Sequence, residues 1–93
     1  MSDRIMTLHP EGKAGVNISR EKYDTVRQAI LDVVGDAGEI GLADLTARVG
    51  ESLAGSFDGS IGWYVTTVKL DLEARGEIER VTGVSPQRLR FGG

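Results

Sequence analysis

The sequence predicts an α+β domain, mostly helical, in which three helices precede a C-terminal β-hairpin and an extended arm leads in. Three observations carry this. Ser19 and Ser60 each stand just before a run whose apolar residues recur every three or four positions. Glycines close the helical runs. After Gly76, two short segments alternate in polarity around Thr82-Gly83-Val84-Ser85-Pro86.

Residues 1–18 have no clean period and contain Pro10, Gly12 and Gly15. They also carry Ile5, Met6, Leu8, Val16 and Ile18, too much apolar surface to stay in water, so the arm is expected to dock. The remainder, 19–93, is read as one domain. Its first helix starts after Ser19, with Ile18 before the cap and Tyr23 at the fourth helical position, the spacing of a hydrophobic staple. Tyr23, Val26, Ile30, Val33 and Val34 form its stripe, and Gly35 and Gly38 are expected to stop it. A shorter helix is expected over 42–49 on Leu42, Leu45 and Val49, ended by Gly50. Residues 51–59 read as a loop in which Leu53 and Phe57 turn inward. The third helix runs from its Ser60 cap to Arg75 and closes at Gly76, with Ile61, Val65, Val68 and Leu72 as core stripe. Strands follow at Glu77–Val81 and Gln87–Phe91, with Ile78, Leu89 and Phe91 facing in.

Composition narrows the function. The 93 residues hold 11 Lys+Arg against 14 Asp+Glu, one histidine and no cysteine. There can be no disulfide or thiol nucleophile, and His9 alone makes no metal cluster. No apolar run approaches the ~20 residues of a membrane span, and the opening residues lack the apolar core of a leader. A cytoplasmic protein with no cofactor, no small-molecule ligand and no membrane partner is expected.

The segment Val68-Lys69-Leu70-Asp71-Leu72-Glu73-Ala74-Arg75-Gly76-Glu77-Ile78-Glu79-Arg80 resembles the end of the recognition helix and the first wing strand of bacterial winged helix-turn-helix regulators. Together with Leu8-His9-Pro10-Glu11-Gly12-Lys13-Ala14-Gly15-Val16-Asn17-Ile18 and Gly59-Ser60-Ile61-Gly62-Trp63-Tyr64, it is similar to a family of small bacterial proteins described as a winged-helix domain of unknown function. That resemblance implies a winged helix-turn-helix, three helices plus a C-terminal wing. It implies no activity.

Catalytic motifs are absent. Gly12-Lys13 fails as a phosphate loop, because Thr7 stands where the upstream glycine belongs and Ala14 follows the lysine. Asn17-Ile18-Ser19 matches a glycosylation sequon, but Ser19 is accounted for as a cap. The acidic pairs Asp71/Glu73 and Glu77/Glu79 read as solvated surface charge, and no enzyme is expected.

Two binding readings remain. In the nucleic-acid reading, Ser60, Thr66 and Lys69 would face the groove, and Arg80, Arg88 and Arg90 on the wing would meet phosphates. Charge opposes it. Lys69 and Arg75 are balanced by Asp71 and Glu73, while Arg48 is outnumbered by Glu39, Asp44, Glu51 and Asp58. Either hairpin register sets a glutamate beside a wing arginine. In the other reading, Trp63, Thr67, Leu70 and Ala74 make an apolar stripe opposite the core face of the third helix. Such a helix wants burial on both sides. The partner would be a second copy or another protein, or the stripe would be covered by Ile5, Met6 and Leu8 of the chain's own arm. On this reading Lys69 is a solvated lysine.

Overall fold

A computed structural model describes residues 3–84 and 86–92. Ser85 of the expected turn, Met1 and Ser2 of the arm, and Gly93 lie outside the described residues. The chain is α+β and about half helical.

The arm is ordered as a hairpin. Strand β1 (Arg4–Met6) pairs antiparallel with β2 (Asn17–Ser19), Ile5 opposite Ile18. Period-two alternation turns Ile18 into the core and leaves Met6 outside. Ser19 then caps α1 (Arg20–Ala37), its hydroxyl accepting from the Lys22 N–H at 3.4 Å. The staple residues Ile18 and Tyr23 are both buried. Helix α1 runs through Gly35 and stops at Gly38, whose φ of 79° suits a residue with no Cβ.

Between the first two helices lies an unanticipated strand, β3 (Glu39–Gly41), with Ile40 buried. Helix α2 (Leu42–Leu53) passes through Gly50 and ends four residues later than expected, because Leu53 extends the stripe of Leu45 and Val49 into the core. Ser60 caps α3 (Ile61–Ala74), accepting from the Trp63 N–H at 3.3 Å. Gly76, at φ 78°, turns the chain into β4 (Ile78–Arg80). The final strand, β5 (Arg88–Phe91), lies between β3 and β4 and is antiparallel to both. Ile40 and Arg80 oppose Leu89, Glu39 and Glu79 oppose Arg90, and Ile78 opposes Phe91.

The three helices and the inner face of this sheet enclose Val26, Ile30, Val34, Leu45, Val49, Val65, Val68, Leu72, Ile78 and Leu89, each almost wholly buried. At roughly 1.5–3 kcal/mol per large side chain buried, this cluster is the main stabilising term. Phe91 departs from the expectation. It sits at the margin of the inner face with its ring on Gly35 of α1, and half of it is exposed.

Candidate interaction surface

Helix α3 carries the residues that matter. Its core face is wider than four aliphatic side chains, for Lys69 and Asp71 are buried beside Val65, Val68 and Leu72. Both overturn the sequence reading. Lys69 is 3% exposed, its Nζ donating to Gln87 Oε1 at 2.9 Å and standing 3.0 Å from Glu73 Oε2. Burial lowers the lysine's pKa and Glu73 opposes that shift. Glu73 is nearly buried too, with Arg80 Nε 2.6 Å from its other oxygen. Among the described residues Glu73 Oε2 accepts no well-aligned hydrogen bond, so Lys69 holds it by charge rather than alignment. The spacing contained the signal: Lys69 lies four residues after Val65 and three before Leu72, on the core stripe itself.

Asp71 is fully buried and divides its two oxygens between two bodies. Oδ2 accepts from the Tyr23 hydroxyl of α1 and from Arg75 Nε at 2.8 Å. Oδ1 accepts from the Leu8 backbone N–H at 2.8 Å. Desolvation, with the hydrogen bond to Asp71 next in weight, pushes the Tyr23 hydroxyl up to about 12. No local pattern predicts this junction, since its members come from three separate parts of the chain.

The Leu8 contact brings the arm onto α3. Residues 7–16 form a strap over the helix, and Thr7, Leu8, His9, Ala14, Gly15 and Val16 face Thr67 and Leu70 across a narrow groove of about 90 Å³. Thr7 is its buried plug, 3% exposed. The Thr7 N–H donates to the Val16 carbonyl, and the Thr7 hydroxyl accepts from the Val16 N–H at 3.0 Å. Any side chain at Gly15 would overlap the Thr7 carbonyl.

The apolar stripe is thus partly covered from within. Thr67, Leu70, Ala74 and Ile5 are half-buried. Trp63, one turn before Thr67, remains 46% exposed, with Met6 at 56%, Leu8 at 45% and Val16 at 36%. The Trp63 ring is not loose: it meets Tyr64 edge to face at 4.9 Å, and Tyr64 meets Phe57 the same way at 5.0 Å. Lys22 Nζ stands 5.6 Å from the centre of the Tyr64 ring and 5.8 Å from that of Phe57.

Of the nucleic-acid candidates, Ser60 and Thr66 are exposed, and Ser60 is engaged as the cap. The three hairpin arginines are all paired: Arg80 with Glu73, Arg88 with Glu39 at 2.7 Å and Arg90 with Glu79 at 2.6 Å. Glu79 is the glutamate set beside a hairpin arginine, opposite Arg90, while Glu77 pairs with Arg27 of α1. Among the described residues no His, Cys, Asp and Glu side chains gather in threes to hold a metal, and no helix is long and apolar enough to cross a membrane.

The architecture is that of a small α+β protein with three helices and two small antiparallel sheets. Residues 4–89 match a family of unknown function (DUF6958), and the chain belongs to that family. No curated protein and no solved structure matches it.

Proposed function

We propose that the chain is a non-enzymatic winged-helix binding module that self-associates, two copies meeting through the face formed by the strap and the outer side of α3. The order helix, strand, helix, helix, strand, strand, with β3 joined to the C-terminal hairpin, supports the winged-helix reading. One observation carries the functional part. Leu8 and Val16 on the strap stay exposed beside the half-buried Thr67 and Leu70, and Met6 at the end of β1 and Trp63, one turn before Thr67 on α3, are exposed as well. Those six side chains bear no charge, so two such faces can meet about a two-fold axis without repulsion. A braced tryptophan is the side chain best suited to anchor the contact.

The DNA-binding alternative has less support. Lys69 is inside, each wing arginine has a carboxylate partner, and the strap lies over the side of α3 that would have to enter a groove. Sedimentation of the protein across a wide concentration range tests the proposal. The expected result is a dimer that Trp63→Ala and Leu70→Asp convert to monomer while far-UV circular dichroism is retained. Trp63 emission should shift to the blue as concentration rises. A monomer at every concentration, with water-like Trp63 emission throughout, would overturn it.

A further inference from the structure

We infer that the strap is a separately opening unit, and that its docking onto Asp71 is the step that completes the self-association face. This rests on the interface reading above and adds how that interface is controlled. A standard interface buries about 800 Å² per partner, whereas a whole tryptophan offers about 250 Å² at most. Trp63, already half covered, falls far short alone. The strap supplies Leu8 and Val16, which adjoin Thr67 and Leu70 only while it is docked, so lifting it takes both away from the face.

The strap's hydrogen bonding to the helices is light and local, its other hold being the packing of Thr7 and its neighbours against α3. Among the described residues, the hydrogen bond tying 7–16 to the helices is the one from the Leu8 N–H to Asp71 Oδ1. The strap's own ion pair, Lys13 with Glu11, is internal and well exposed. Asp71 does not depend on the strap: Tyr23 and Arg75 hold Oδ2, so lifting residues 7–16 leaves the carboxylate compensated and frees Oδ1 for water. The helical core is therefore built to survive strap release. What shapes the strap is the close passage of Gly15 across Thr7, with both Thr7–Val16 hydrogen bonds beside it.

Hydrogen exchange by NMR on the full chain tests this, with sedimentation alongside. In the wild type, the Leu8 amide, whose bond to Asp71 is broken when the strap lifts, should exchange about tenfold or more faster than core amides of α1 and α3, because it opens without global unfolding. Gly15→Ala should strip its protection, leave the core amides unchanged and raise the dimer dissociation constant by about tenfold or more, since only the docked fraction can associate. Thr7→Val, which removes the hydroxyl but keeps the shape of the plug, should act in the same direction to a smaller extent. Strap and core amides exchanging at one common rate in the wild type would overturn the separate opening. A wild-type dimer whose strap is freed by Gly15→Ala without weakening would overturn the coupling and leave the interface reading standing. A wild-type monomer would overturn both.

Discussion

Asp71 is safe in the interior because every direction from which water has been removed offers it a donor. An ionised carboxylate without partners would cost more there than its packing returns. Tyr23, Arg75 and the Leu8 N–H replace the lost water. The linkage is visible at alkaline pH. The Tyr23 hydroxyl is raised from 10.0 to about 12, so between those values an unfolded tyrosine has lost a proton that the folded one keeps. The folded state binds more protons in that window, and stability falls as pH rises through it. Lys69 acts with the opposite sign below 10.5: its lowered pKa means the unfolded chain holds its proton longer, so stability there rises with pH. Tyr23→Phe should remove an alkaline loss on the order of 2 kcal/mol while costing about 1–2 kcal/mol at neutral pH. Urea titrations at a series of alkaline pH values measure both; parallel curves for variant and wild type would contradict the assignment. Of the two buried charges, Lys69 was signalled by its place on the core stripe and Asp71 was not. Asp71 is decided by groups 48 and 63 residues away, Tyr23 and Leu8, which no local pattern connects.

At the scale of elements, the helices test what a glycine does where backbone alone does not require one. Gly50 lies within α2, and a Cβ there would meet nothing nearer than the Ile61 methyl at 4.0 Å. Gly50→Ala should therefore stabilise by about 0.5–1 kcal/mol through helix propensity. Gly35, within α1, has the Phe91 ring 3.2 Å from where a Cβ would stand, so Gly35→Ala must displace that ring and should gain less. Thermal melts of the two variants compare them directly; equal gains would mean that the Phe91 contact has no energetic weight. The same two glycines mark where local reading stops working. Caps at Ser19 and Ser60 and turns at Gly38 and Gly76 were legible because cap and turn chemistry involves neighbours in sequence. Gly50 resembles a stop, yet α2 continues because Leu53 gains burial by staying helical. The three residues of β3 are too few for a periodic signal; they are a strand because β5 pairs with them. That the arm could lie over the outer stripe of α3 was one of the alternatives open from the sequence, but the bond from Leu8 to Asp71 that fixes its path was hidden.

For the molecule as a whole, the cations of the C-terminal hairpin are neutralised from within. The net charge is -3, and Arg80, Arg88 and Arg90 each meet a carboxylate within the same chain. The pairs of Arg88 and Arg90 are well exposed, worth under about 1 kcal/mol each, so they restrain those arginines more than they stabilise the fold. Duplex DNA should show no measurable binding at physiological salt. Any binding at low salt should follow a log–log slope no steeper than about -2.7, for three phosphate contacts. Glu39→Gln with Glu79→Gln should strengthen it by releasing Arg88 and Arg90. Anisotropy titrations showing tight, salt-resistant binding would restore the nucleic-acid reading. The strand order has a consequence on another axis, that of synthesis. In the order β3-β5-β4 the middle strand is made after both of its neighbours, and its Arg88 bonds to Glu39 from 49 residues earlier. A growing chain can pair its helices long before it can form this sheet, and until residues 88–91 leave the ribosome the edges of β3 and β4 stand open with Ile40 and Ile78 uncovered. The sheet thus closes only when β5 arrives, and a nascent chain halted before that point would carry its apolar sheet residues unguarded.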